Sequence, residues 1–385
     1  MTATPITLES RPDHVPAGTA AADVVGTDIR ALRQISETAT GTDVERALGA
    51  THPGLADFAA LLSQAATRRI EDLAQRAHAI SRTRFGATVR LFAPLYLSNE
   101  CVSTCTYCGF SAGNEIARRT LSAEEVGREA AALHRTGFRH ILLVSGEHAR
   151  IVNRDYLADC VAKVAADFAQ VSVEIQVWDT ATYQRLVEAG CDGVVVYQEA
   201  YDPGTYAAVH LKGKKRNYAW RLGAADRAAE AGMRRLGIGA LLGLHPDWRS
   251  EAIALAAHAQ ALTRRWWRCD VQVSMPRLRP AAGGYQPSEP VGDVAFTQLL
   301  CALRIVLPDV AISLSTREPA SLRDALVPLG VTAMSAGSHT EPGGYAEHSD
   351  AEPQFSISDT RSAAEVAAAL RAAGYDPVWK DWQRA

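Results

Sequence analysis

Pro94-Leu-Tyr-Leu-Ser-Asn-Glu-Cys101-Val-Ser-Thr-Cys105-Thr-Tyr-Cys108-Gly-Phe110 begins as an apolar strand and ends in a loop with three cysteines at C-x3-C-x2-C spacing. Thiolates suit iron–sulfur clusters, whose usual full set is four, so Cys101, Cys105 and Cys108 can hold three irons of a [4Fe-4S] cube. A cube with three protein thiolates keeps one iron open for a ligand, as a catalytic zinc keeps its fourth position. A structural zinc site needs a fourth ligand nearby, yet the next Cys or His is His134, followed by His140, beyond an intervening helix. The loop is read as an iron–sulfur site, with another metal as the alternative.

The length of 385 residues exceeds a usual single domain of roughly 100–200, but one barrel of about 250 residues with extensions fits. A net charge of −3 speaks against a nucleic-acid partner, which needs a concentrated basic face. Cys160, Cys191, Cys269 and Cys301 form no local pair, which suits a reducing compartment where sulfur binds metal. Residues 1–10 lack the basic and apolar regions of a secretory signal, and nothing approaches the ~18 continuous apolar residues of a spanning helix. A cytoplasmic protein with no membrane partner is expected.

Residues 1–25 show no apolar period and are read as a flexible, loosely packed leader. Over 26–85 apolar residues recur at three- and four-residue spacing, which predicts a helical extension. From residue 86 strands and helices alternate, with strands expected at 89–97, 140–145, 171–177, 193–197, 235–242, 270–275, 310–314 and 331–334. Such alternation implies parallel pairing through right-handed crossovers. The fold class is therefore α/β, a (β/α)8 TIM-type barrel over 86–340, with a C-terminal extension at 341–385 that packs on it. In that fold the active site forms at the C-terminal ends of the strands.

Those ends carry the remaining candidates. After the second strand comes Ser145-Gly146-Glu147, a small turn with a carboxylate able to satisfy a desolvated ammonium. A plain glycine turn with a solvated Glu147 is the alternative. Glu174 and Gln176 share one face of the third strand. Tyr197-Gln198-Glu199-Ala200-Tyr201 lines the mouth after the fourth, and the Lys212–Arg216 run that follows reads as a solvated loop, or else a docking face for an acidic electron donor. Arg277 and Arg279 follow the sixth strand and Arg317 the seventh, where guanidinium forks can grip carboxylates. Small hydroxyls, beginning with Ser335, follow the eighth.

The cysteine spacing, with an aromatic residue before the third cysteine, resembles the cluster motif of the radical S-adenosylmethionine (radical SAM) enzymes. Further segments sharpen the likeness: Val-Tyr-Gln-Glu at 196, Leu-Lys-Gly-Lys-Lys at 211, Pro-Arg-Leu-Arg-Pro at 276, Leu-Ser-Thr-Arg-Glu at 314, Pro-Gly-Gly-Tyr-Ala at 342 and Trp-Lys-Asp-Trp at 379. With the cysteine loop they resemble the 2-iminoacetate synthase family, the tyrosine lyases of thiamine thiazole synthesis, over residues 85–385.

The resemblance implies a [4Fe-4S] cluster that reductively cleaves S-adenosylmethionine to methionine and a 5′-deoxyadenosyl radical. The radical takes hydrogen from L-tyrosine, and Cα–Cβ cleavage gives 2-iminoacetate and p-cresol. It also implies that Ser145, Gly146 and Glu147 receive the cofactor's amino group, with Ser145 standing where the family pattern has glycine. Tyr107 serves the adenine, Glu174 and Gln176 the ribose, and Arg277 or Arg279 the cofactor carboxylate. By similarity to a related tryptophan lyase, Arg317 holds the substrate carboxylate while Tyr96 and Ser335 place its amino group. Glu199 is a candidate base for the phenol. Thiazole synthase and a flavodoxin- or ferredoxin-type electron donor are the implied partners. Alternatives are a tryptophan lyase and a non-catalytic iron–sulfur scaffold docking on thiazole synthase. The hydrogenase-maturing tyrosine lyase carries a second cluster near its C-terminus, and no cysteine follows Cys301 here.

Overall fold

The computed structural model describes residues 14–287 and 289–380. Eight parallel strands close into a barrel: β1 (Thr88–Ser98), β2 (His140–Ser145), β3 (Gln170–Glu174), β4 (Gly193–Glu199), β5 (Arg235–Ala240), β6 (Asp270–Ser274), β7 (Ala311–Leu314) and β8 (Ala333–Ser335). They follow in chain order, and β1 closes the ring by pairing with both β2 and β8. Helices cross over outside, started by the residue types that hold free N–H groups. Ser122 and Glu125 form a reciprocal capping box on the helix Ala123–Arg135, and Asn153, Asp179 and Asp247 cap later ones. The barrel expected from the alternation is the barrel found.

Two irregularities shape the mouth. The β1–β2 register slips between Tyr96 and Ser98, and the β4–β5 register slips between Tyr197 and Glu199. Such bulges bend a strand end and re-aim its side chains. The first turns β1 into the cysteine loop. The second leaves Glu199 at φ 71°, the one non-glycine residue with positive φ among those described. Strain of this kind costs roughly 1–3 kcal/mol and persists where surrounding contacts over-determine it.

The helices of the N-terminal extension, such as Leu55–Leu61 and Ile70–Phe85, lie on the crossover helices Trp248–Arg265 and Asp293–Val306. Phe58, Leu61, Leu62 and Leu73 are fully buried, each contributing about 1.5–3 kcal/mol of burial. Buried Gln298 donates to the carbonyls of Leu61 and Ser63. The loosely packed leader expected over 1–25 needs correction at its end. Ala20–Val25 is a helix, and the Ala20 and Ala21 amides donate to the buried Asp226 carboxylate. Residues 1–13 of that leader, and Asp381 and Trp382 of the final motif, lie outside the described residues.

The C-terminal extension packs on the barrel and crosses its mouth. Gly343 donates to the Tyr96 carbonyl, the Tyr345 hydroxyl to the Pro94 carbonyl, and the Ser358 and Asp359 amides to the Thr316 carbonyl. Fully buried Arg323 pairs with Asp359 and also donates to the Ser335 carbonyl, which pins the extension to the end of β8. Removing one member of such a pair strands a buried charge. A ninth strand, β9 (Asp376–Val378), then joins the start of β1. Among the described residues no helix is long and apolar enough to cross a membrane.

Candidate active site

The cysteine loop is held by its backbone. Val102 donates to the Glu147 carbonyl at 2.9 Å, Thr104 to Lys212 at 3.2 Å, Thr106 to Val209 at 3.0 Å and Gly109 to Gln354 at 3.1 Å. Arg118 closes it from below by donating to the carbonyls of Asn99, Phe110 and Ser111. Glycines permit the closest approaches. A Cβ on Gly146 would stand 2.3 Å from the Glu100 carbonyl oxygen, and one on Gly213 would stand 2.5 Å from Ser103 Oγ and 2.6 Å from Ser103 Cα. Gly213 also has φ +91°, a region L side chains avoid. Gly213→Ala is therefore expected to lift the 209–213 segment off the loop at a cost on the order of 2–3 kcal/mol. Bound iron per chain should fall well below wild type while the far-ultraviolet circular dichroism is unchanged.

Cys101, Cys105 and Cys108 are all free thiols that face one another's fields. Burial pushes Cys101 up to about 11, helped by the charge of Glu147, and burial raises Cys105 and Cys108 as well. Protonated, buried and mutually repelling as thiolates, the sulfurs call for a cation, which deprotonates a coordinating thiol outright. Among the described residues no group of three or more His, Cys, Asp or Glu gathers around a point fit for a single metal ion. Three thiols on one loop have the donor chemistry that suits an iron–sulfur cluster.

Beside the loop, the turn after β2 is differently employed than the sequence suggests. The Glu147 carboxylate already accepts from Arg221 at 3.1 Å and from Ser103 Oγ at 3.4 Å, and all three residues are buried. Gly146 is needed for packing on Glu100. Ser145 Oγ, both amide atoms of Gln176 and both of Gln198 are buried without partners, as is Arg279 Nε. Unpaired buried polar atoms are costly, and this set at the strand ends of the barrel suits a polar ligand such as a nucleoside bearing an amino acid. Because β3 ends at Glu174, Gln176 lies in the following loop, and strand alternation does not govern where it points.

One cavity unites the sulfur site with charged groups. Cys108, Tyr107, Glu174, Glu199, Lys215, Arg279, Arg317 and Gln354 line it. Lys215 donates to Glu199 at 2.7 Å with its side chain only 12% exposed. The expectation of a fully solvated Lys212–Arg216 loop is thus corrected: Leu211 and Lys212 pair with Thr104 of the cysteine loop, and Lys215 turns inward. Arg277 leaves the candidate set. Its guanidinium donates to Glu318, Asp293 and the Val291 carbonyl, a structural cluster outside the cavity. Arg279 and Arg317 make no guanidinium hydrogen bond or ion pair among the described residues, and Arg317 stacks 3.4 Å above the Phe355 ring. Two unpaired guanidiniums in one cavity favour two carboxylates.

Tyr96 and Ser335 stand apart from that wall. The Tyr96 hydroxyl donates to Gln354 Oε1 at 2.8 Å. Ser335 Oγ accepts from the Thr316 amide at 3.2 Å, which shapes the turn carrying Arg317. Tyr107 is anchored by its hydroxyl. Because His210 Nδ1 faces the Tyr206 carbonyl at 2.8 Å it must donate there, so Nε2 accepts from Tyr107 at 2.9 Å. Burial holds His210 down to about 3, hence neutral.

The two cavity carboxylates are driven apart. Burial would raise Glu199, but Lys215 and Arg221 outweigh it and hold it below its usual range. Burial pushes Glu174 up to about 7, with the charge of Glu199 adding to it. Between about pH 4.5 and 7 the unfolded chain has released a proton that the folded chain keeps, so stability falls as pH rises through this window and levels above it. In the ligand-free protein Glu174→Gln is expected to gain stability over wild type from about pH 5 to about pH 8. A urea-unfolding difference that stays constant across that range would refute the assignment.

Sequence reasoning missed Lys215, Arg221 and Gln354. A signal for the first was present in Gly213, since a glycine inside a basic run marks a backbone that must approach something closely.

The chain is similar to proteins already characterised. Residues 95–256 match the Radical SAM superfamily, and 274–376 match the Biotin and Thiamin Synthesis associated domain. It is 46% identical to the 2-iminoacetate synthase of Escherichia coli K12 over 343 residues, covering 89% of this chain and 91% of that protein. Identity to the 2-iminoacetate synthase of Salmonella typhimurium is 44% over the same shares. The crystal structure of HydG, a maturase of the [FeFe]-hydrogenase, superposes with a TM-score of 0.87 at 32% identity, covering 93% of this chain and 81% of HydG.

Proposed function

Since the chain belongs to the 2-iminoacetate synthases, within the radical SAM superfamily, we propose an assignment of its residues to that reaction. The enzyme is a lyase that cleaves the Cα–Cβ bond of L-tyrosine to 2-iminoacetate and p-cresol, for the thiazole of thiamine, while S-adenosylmethionine becomes methionine and 5′-deoxyadenosine. A [4Fe-4S] cluster and S-adenosylmethionine supply the one-electron, hydrogen-removing chemistry when bound. Cys101, Cys105 and Cys108 hold three of the irons. The observation that carries the assignment is the cavity in which Cys108 meets Arg279 and Arg317, two guanidiniums without a hydrogen-bond or ion-pair partner among the described residues.

Arg317 takes the substrate carboxylate in a fork whose plane is fixed by Phe355. The Tyr96 oxygen, already donating its proton to Gln354, is free to accept from the substrate ammonium. Ser335 acts mainly through the turn of Arg317, with its hydroxyl hydrogen left for the substrate site. Arg279 receives the cofactor carboxylate. Glu174 and Gln176 take the ribose hydroxyls, and Tyr107 offers its ring to the adenine. Ser145, Gly146 and Glu147 meet the cofactor ammonium through carbonyls and the unpartnered Ser145 hydroxyl, since the Glu147 carboxylate is held by Arg221. Glu199, held below its usual range by Lys215 and Arg221, is the candidate acceptor for the phenol proton. Holding both ligands in reacting geometry is the protein's main contribution.

The exposed Val102, Leu211, Lys212 and Arg216 beside the cysteine loop suit an acidic flavodoxin- or ferredoxin-type donor. Thiazole synthase is the protein partner that consumes the product, and the cytoplasm is the compartment. Anaerobic turnover of the reconstituted, reduced enzyme with L-tyrosine or L-tryptophan tests the assignment. Tyrosine-dependent p-cresol with 5′-deoxyadenosine supports it. Deoxyadenosine without p-cresol moves the substrate elsewhere, and neither product from a cluster-loaded protein revives the scaffold.

A further inference from the structure

The segment Pro353-Gln354-Phe355-Ser356 straps the barrel mouth. The Gln354 amide donates to the Thr340 carbonyl at 2.8 Å, and the Ser356 amide to Pro280 at 2.9 Å. It sits hard on the cysteine loop: a Cβ on Gly109 would stand 2.5 Å from the Gln354 carbonyl oxygen and 2.9 Å from that of Pro353. The Gln354 side chain then reaches two functional groups at once. Its Oε1 takes the Tyr96 hydroxyl at 2.8 Å, and its Nε2 lies 3.7 Å from Cys108 Sγ.

We propose that Gln354 is a positioning residue that donates a hydrogen bond to a cluster thiolate and couples the ease of cluster reduction to occupancy of the substrate pocket. The inference rests on Cys108 being a cluster ligand. A metal-bound thiolate can only accept, so Nε2 must face the sulfur, and Oε1 is left for the Tyr96 proton. Hydrogen bonds to cluster sulfurs stabilise the more negative, reduced state and raise the potential. When the substrate ammonium donates to the Tyr96 oxygen, the Tyr96 O–H is polarised, its bond to Oε1 strengthens, and the amide N–H becomes a better donor. Bonds in such a chain reinforce one another. Tyrosine therefore favours reduction of the cluster, and the reducing electron is taken up preferentially when there is substrate to use it.

The test is an EPR-monitored redox titration of the reconstituted full chain without S-adenosylmethionine, with and without L-tyrosine. In wild type, tyrosine should raise the reduced-to-oxidised ratio at a fixed potential. Gln354→Leu should lower the ratio roughly threefold to tenfold, tenfold being about 59 mV for one electron, and abolish the response to tyrosine. Tyr96→Phe, which removes the proton held by Oε1, should lower the basal ratio by less than Gln354→Leu does and lose the response. Iron analysis precedes each titration, with Gln354→Met substituted if the leucine variant loads poorly. Glutamine variants that carry a full cluster and titrate as wild type, or that keep the tyrosine response, overturn the inference alone. A wild-type chain that takes up no cluster overturns the reading beneath it.

Discussion

Cys105→Ala is expected to abolish tyrosine cleavage and leave the barrel folded. The thiol is 4% exposed and packs with Tyr107, Val209, Leu241 and Leu244, so losing the sulfur removes one buried atom at a cost of about 1 kcal/mol. The loop's register does not depend on that atom. Thr104 and Thr106 still donate to Lys212 and Val209, and Cys105 still bridges His210 through its backbone. What disappears is one of three thiols on the cluster, and the two that remain cannot hold the usual complement of irons. Cys301→Ala is the matched control: its thiol is fully buried in the helix Asp293–Val306, outside the cavity, and cleavage should persist. Iron content, the thermal midpoint and p-cresol formation read the three consequences separately. Any p-cresol above background from the Cys105 variant would place the cluster elsewhere.

The barrel and the cysteine loop were legible because their signals are local. Alternation of strand and helix is a periodic property of neighbouring residues, and the Cys101–Cys108 spacing lies within one loop. Arg317 was legible for the same reason, since a strand end next to a Leu-Ser-Thr-Arg run fixes its place on the mouth. Arg277 and Arg279 could not be separated, because what removes Arg277 from the site is Glu318 and Asp293, distant in the chain and brought up by a different strand and helix. Lys215 was misread because charged runs on loops usually meet water, whereas Glu199 and the cysteine loop draw this one inward. Gln354 gave no signal at all. It lies in an irregular segment whose value comes from touching Tyr96 and Cys108 at separations of 258 and 246 residues. The docked helix Ala20–Val25 escaped for a similar reason, its partner Asp226 being 206 residues from Ala20.

Arg317→Ala is expected to lower kcat/KM for tyrosine by a hundredfold or more, on the order of 3 kcal/mol, since a substrate carboxylate loses its charged partner in a confined cavity. No other cation replaces it: Lys215 is held by Glu199, and Arg279 is assigned to the cofactor. Arg317→Lys keeps the charge but forfeits the planar fork and the stack on Phe355, so its loss should be intermediate, about tenfold. The size of the loss alone does not place the guanidinium on the carboxylate, because a collapsed Phe355 strap could also slow the reaction. Tyramine, which lacks the carboxylate, separates the two. Wild type should discriminate strongly between tyrosine and tyramine, and Arg317→Ala should erase most of that difference by penalising tyrosine alone. The coupling between the residue and the missing group is then the measured quantity. If the alanine variant loses as much with tyramine as with tyrosine, Arg317 serves the strap and not the substrate. The tyrosine carboxylate would then belong to Arg279, the other guanidinium in the cavity without a partner among the described residues.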